Sequence, residues 1–83
     1  MLKVSVISPE ASLFEGDATS VVVPAFDGEV GILTGHAPMM ALLGKGELRI
    51  EGGAAKKFTI EGGFLQVLGN HVRVVTERGS AIS

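Results

Sequence analysis

The chain has no cysteine, no tryptophan and no tyrosine among its 83 residues. Without cysteine there is no disulfide framework and no thiolate metal site. The two histidines, His36 and His71, are too few for a metal centre unless carboxylates join them. Four phenylalanines are the whole aromatic complement, and seven Lys and Arg are outnumbered by nine Asp and Glu, for a net charge of −2. A nucleic-acid reader normally shows a basic face with aromatics for stacking. This chain has neither, and its densest basic pair, Lys56-Lys57, sits in a stretch that reads as a turn. No segment approaches the ~18–20 apolar residues needed to span a bilayer. The apolar opening from Met1 to Ile7 is too short for a signal peptide and runs straight into Pro9-Glu10. The expectation is a cytosolic, unprocessed chain with no direct membrane insertion.

What the chain has in quantity is glycine and aliphatic residues. Twelve glycines are present. Gly28, Gly35, Gly44, Gly52, Gly62, Gly69 and Gly79 recur between short apolar segments, several in the turn-forming pairs Asp27-Gly28, Gly52-Gly53, Gly62-Gly63 and Gly69-Asn70. This rhythm predicts an all-β fold, one sandwich or barrel over residues 1–83. Period-two alternation places Leu2, Val4 and Val6 on one face, then Leu48 with Ile50, Phe58 with Ile60, and Val72 with Val74. Val21, Val23, Val30, Ile32, Leu65 and Val67 complete a two-sheet interior.

Hydrophobic residues make up 46% of the chain, and its mean hydropathy is +0.42. A domain this small has a large surface for its volume, so some apolar material is left outside the core. Three segments are apolar on both faces: Val21-Val22-Val23, Met39 to Leu43, and Phe64 to Leu68. Val22, Met39, Leu43, Phe64 and Leu68 are surplus to one core, and an external protein is expected to cover them. Periodicity does not decide whether Met39 to Leu43 is a strand or a short helical turn begun by Pro38.

Catalytic motifs fail in turn. Gly44-Lys45 is followed by Gly46 instead of Ser or Thr, so it is no phosphate loop and reads as a hairpin turn. No dinucleotide fingerprint occurs, and nothing in the spacing pairs Ser5 or Ser8 with His36. Glu15/Asp17 and Asp27/Glu29 read as solvated turn residues. The chain reads as non-catalytic, without cofactor or metal. On the residues alone, a free-standing cytosolic β-sandwich module binding a peptide or small ligand remains open.

One order of residues goes beyond that generic reading. Gly28-Glu29-Val30-Gly31-Ile32-Leu33, followed by Gly35-His36-Ala37-Pro38, resembles the signature loop of the epsilon subunit of F-type ATP synthases. Val6-Ile7-Ser8-Pro9-Glu10 with Leu13-Phe14-Glu15-Gly16, Gly46-Glu47-Leu48-Arg49-Ile50, Gly62-Gly63-Phe64-Leu65-Gln66-Val67 and Val72-Arg73-Val74-Val75 extend the resemblance over essentially the whole chain. Thr34, Glu61 and Thr76-Glu77 depart from the family's usual residues, and the helical hairpin that usually follows this domain is not in the sequence.

The resemblance implies a sandwich of two antiparallel sheets of about five strands each. It implies a central-stalk rotor subunit of a proton-translocating synthase, peripheral on the cytoplasmic face of a bacterial inner membrane. Such a subunit docks on gamma and on the c-ring, and acts on the catalytic head indirectly. The gamma contact is then expected on one outer sheet face, through Val22, Met39, Leu43, Phe64 and Leu68, with Ser8 and Ala41 nearby. The c-ring contact is expected along Asp27, Gly28, Glu29, Gly31, Gly35 and His36, with Glu29 meeting positive charge. Without the helices, neither arm-type inhibition of ATP hydrolysis nor their nucleotide site is expected.

Overall fold

The computed structural model describes residues 1–52 and 55–82. Gly53, half of the anticipated Gly52-Gly53 turn, lies outside them. Ten strands follow one another: β1 Leu2–Ile7, β2 Ser12–Ala18, β3 Ser20–Ala25, β4 Gly28–Leu33, β5 Met39–Leu42, β6 Lys45–Glu51, β7 Lys56–Glu61, β8 Phe64–Leu68, β9 His71–Val75 and β10 Arg78–Ile82. Sheet A has the order β2-β1-β9-β8-β5 and sheet B the order β10-β7-β6-β3-β4. The two pack face to face as the alternation requires. Leu2, Val4, Val6, Leu65, Val67, Val72 and Val74 of sheet A are buried against Val21, Val23, Ile32, Leu48, Ile50, Phe58 and Ile60 of sheet B. Phe14 and Phe58 meet edge to face across this core, centroids 6.4 Å apart.

Three local expectations change and one open question is settled. The sheets are not purely antiparallel, because β1 pairs with β9 in parallel. Nearly the whole chain separates those two strands, so no hairpin forces them to run oppositely. Lys56-Lys57 begins β7 instead of forming a turn. Gly44 is no hairpin: it is the corner where the chain leaves β5 in sheet A for β6 in sheet B. Gly44 donates its N–H to Pro24 O at 2.8 Å and accepts from Gly62 N at 3.2 Å. Met39 to Leu42 is a strand, paired with β8 and not helical.

Thr76, at the crossing from β9 to β10, is the one buried polar residue among the described residues. Its hydroxyl lies 2.8 Å from Arg78 O, 3.1 Å from Gly62 O and 3.2 Å from Glu61 O. One proton among three carbonyls ties the β7–β8 turn to the start of β10. Thr76→Val keeps the volume and removes that donor, so it is expected to cost about 1–2 kcal/mol. In a chain of this length that lowers the thermal midpoint by about 4–16 °C. A midpoint unchanged within about 2 °C on a circular-dichroism melt would show that the hydroxyl contributes nothing.

Candidate functional site

The outer face of sheet A carries Met40, Leu42, Phe64 and Leu68, whereas exposed Phe26, Leu33 and Ile82 belong to sheet B and its turns, and strand register explains where the sheet A group lies. In β5 and β8, Met39 pairs with Val67 and Ala41 with Leu65, whereas Met40 pairs with Gln66 and Leu42 with Phe64. Leu65 and Val67 are buried, so Met39 and Ala41 point inward with them. Met40 and Leu42 point outward and are 67% and 69% exposed. Continuing across the sheet, Phe64 pairs with Val75 and Val75 with Ile7. Ile7, Val75, Phe64 and Leu42 therefore form an unbroken apolar row over β1, β9, β8 and β5. Ser8 follows Ile7 at one end of the row, in a turn closed by reciprocal backbone bonds with Ala11 at 2.8 and 3.2 Å. The neighbouring rows are mixed: Ser5, Arg73, Gln66 and Met40, then Lys3, His71 and Leu68.

This geometry corrects the anticipated docking set. Leu43 is not surplus: it is 5% exposed, in the core. Met39 and Ala41 face the core and are half-buried at its margin. Val22 does point outward, but between Gly31 and Arg49 on sheet B, the opposite side of the molecule. A single flat surface cannot hold it together with Phe64 and Leu68. The sequence reading also missed Leu42 and Met40. In a segment apolar on both faces only the pairing with β8 decides which parity is outside, and that pairing is not written in β5 itself.

The segment from Asp27 to Pro38 is not one loop. Gly28 to Leu33 is the edge strand of sheet B, and its two turns lie about 20 Å apart at an extended rise per residue. At one end is the β3–β4 hairpin tip, Phe26-Asp27, whose phenylalanine is 77% exposed. Gly28 follows with φ 129°, a conformation open to glycine, so the strand reverses tightly there. At the other end Gly35 donates its N–H to Asn70 Oδ1 at 3.1 Å, and His36 Nδ1 lies 2.7 Å from Ala37 O. Asp27, Gly28 and Glu29 thus share one end of the sandwich. Gly35 and His36 share the other, with Gly31 between. Glu29 is not unpartnered: its carboxylate lies 3.3 Å from Arg49 Nη1, which also sits 3.8 Å from Glu47.

No group of three or more His, Cys, Asp or Glu side chains able to hold a metal ion occurs among the described residues. Nor does any helix there have the length and apolarity to cross a membrane. What the site offers is an apolar row on a stiff, hydrogen-bonded surface, and an exposed acidic hairpin tip.

A ten-stranded sandwich of this strand order, with an apolar row across the outer face of one sheet, has the architecture of a docking domain. Comparison with known proteins makes the assignment specific. A family model described as "ATP synthase, Delta/Epsilon chain, beta-sandwich domain" matches residues 1–81, and the chain belongs to that family. An ATP synthase epsilon chain of Leptospira borgpetersenii is 48% identical over 80 residues, spanning 95% of this chain and 63% of the relative. One from Solibacter usitatus is 44% identical over 77 residues, 92% of this chain and 58% of the relative. One from Chlorobium limicola is 39% identical, covering 90% of this chain and 88% of its own length. The chain thus spans about three fifths of the first two. Among solved structures, a chain of the Euglena gracilis mitochondrial ATP synthase shares the fold at a TM-score of 0.87 and 23% identity, over 96% of this chain and 52% of its own. A chain of the Tetrahymena thermophila enzyme does so at 0.81 and 15% identity, over 95% and 65%.

Proposed function

We propose that this domain is part of a non-catalytic central-stalk subunit of a proton-translocating F-type ATP synthase. It docks on gamma and meets the c-ring, coupling ion-driven rotation to ATP synthesis in the catalytic head. The relatives bear the name ATP synthase epsilon chain, and the two structural neighbours come from assemblies described with F1, central stalk and c-ring. The relatives are bacterial, which supports a peripheral position on the cytoplasmic face of the inner membrane. The observation that carries the reading is the apolar row Ile7, Val75, Phe64 and Leu42, continued by Met40 and Leu68. Exposed clusters of this kind mark interaction surfaces, and gamma is the partner assigned to it, with Ser8 at its border. A pull-down of purified gamma, with and without the c-ring, tests the reading directly. Failure to retain gamma in either form would overturn it.

The c-ring contact is assigned to the hairpin tip, Phe26 to Glu29, and not to Gly35 and His36, which lie at the far end. Asp27 and Glu29 give this tip negative charge, suited to a basic partner loop. Glu29 already shares Arg49, so a rim pair with the ring adds only about 0–1 kcal/mol. Its contribution is orientation and fast, salt-sensitive encounter. Glu29→Lys is expected to slow association with the c-ring most at low salt, while the melting temperature stays within about 2 °C of the parent. Association rates identical to the parent across a salt series would place the ring contact elsewhere.

A further inference from the structure

The two flanks of the sandwich differ. On one, β2 lies beside β10, and the β-bulge in β2 leaves Leu13 outside the register, packed against the core and beside Gly79. Both of these edge strands carry charge, Glu15 and Asp17 on β2 and Arg78 on β10. On the other flank the edges are β5 and β4, which do not pair with each other. Core-facing Val30, Met39 and Ala41 stay only half-buried along the groove between them. The strand β5, Met39-Met40-Ala41-Leu42, has no charge, no proline and no bulge, the devices that keep edge strands from pairing.

Its free edge is already partly used. Leu43 N–H bonds Gly63 O at 3.0 Å, on the β8 side. Alternation along the strand then points the N–H and C=O of Leu42 and Met40 away from β8. Leu42 O accepts from Phe26 N at 2.8 Å. With the bond from Gly44 N–H to Pro24 O, this makes an Ala25–Leu43 bridge, a pairing that the turn at Asp27 breaks off after two bonds, and the Met40 N–H and C=O are left on an open edge.

We propose that this edge receives an extended segment of the partner that covers the outer face of sheet A. The segment adds beside β5 as a sixth strand, with alternate apolar side chains entering the groove over Val30, Met39 and Ala41. This rests on the docking reading above. Leu42 belongs both to the apolar row and to the groove wall, so a protein lying on the row reaches the edge without a gap. Among the described residues the charged side chains lining the groove are Asp27 and Glu29, so the segment carries a lysine or arginine at its end nearest the hairpin tip.

Amide hydrogen exchange on the chain alone and bound to gamma tests this. The Met40 and Leu42 amides are expected to exchange fast in the isolated chain and to slow at least about tenfold in the complex. A pair of variants separates backbone from side chain. Met40→Ala removes the side chain, and Met40→Pro also removes an N–H that points out of the sheet, a position where an edge strand tolerates proline. The proline variant is expected to bind gamma about three- to tenfold more weakly than the alanine variant. If gamma binds and both amides exchange as before, strand addition is wrong while the docking reading stands. If gamma does not bind, both fall. If the amides are already slow in a dimer of the isolated chain, the occupant is a second copy and the proposal is overturned.

Discussion

Gly63→Ala is expected to remove about half of the stability of this domain. Gly63 has φ 103°, where side chains other than hydrogen are strained. A Cβ built there would run into the Val75 carbonyl and lie 2.7 Å from Thr76 Cα. Both obstacles are backbone, so no side-chain rotation relieves them. Backbone strain of about 1–3 kcal/mol adds to an overpacking cost of about 1–3 kcal/mol. A chain of this length has only about 4–12 kcal/mol in total. A fall in melting temperature of at least about 8 °C is the expected result, or a chain that does not fold at 25 °C. Gly31→Ala is the internal control, since a Cβ there meets nothing within 4 Å and φ is not positive. A Gly63→Ala domain melting within about 3 °C of the parent would mean that β8 can leave Val75 without cost.

That glycine shows what the sequence carries and what it does not. The Gly62-Gly63 pair is plain to read as a turn, but the demand at position 63 comes from the Val75–Thr76 backbone of a strand twelve residues further on. The core was legible for the same reason that the fold was. In β1, β6, β7 and β9 one parity is apolar and the other polar, so alternation alone decides which row is buried. The candidate site was legible only in part, because it lies where both parities are apolar. Phe64 and Leu68 were singled out and do point outward, whereas Met39 and Leu43 were placed one residue out of phase with Met40 and Leu42. A slip of one residue exchanges the faces. Val22 was read correctly as outward, but no local pattern says on which of two sheets a strand lies. Glu29 reads as a solvated turn residue because the Arg49 that reaches it comes from two strands away in sheet B, a neighbour twenty positions distant in the chain.

The double variant Leu42→Asp, Phe64→Asp is expected to bind gamma at least about 100-fold more weakly than the parent. The two side chains are cross-strand partners at the β5 end of the apolar row, 69% and 37% exposed. Each contributes about 1.5–3 kcal/mol when fully covered, and each new carboxylate has to be desolvated under gamma as well. Every 1.4 kcal/mol is about a factor of ten in affinity, so the loss is large even if only half of that contact is realised. The fold itself has little at stake, because neither side chain faces Leu65, Val67 or the rest of the core. Far-ultraviolet circular dichroism and a thermal melt check this before binding is measured. Val22→Asp is the matched control: it makes the same chemical change on the outer face of sheet B, and gamma affinity is expected to stay within about threefold of the parent. Should Val22→Asp abolish binding while the double variant keeps it, gamma docks on sheet B. The row across β1, β9, β8 and β5 would then have to face some other partner.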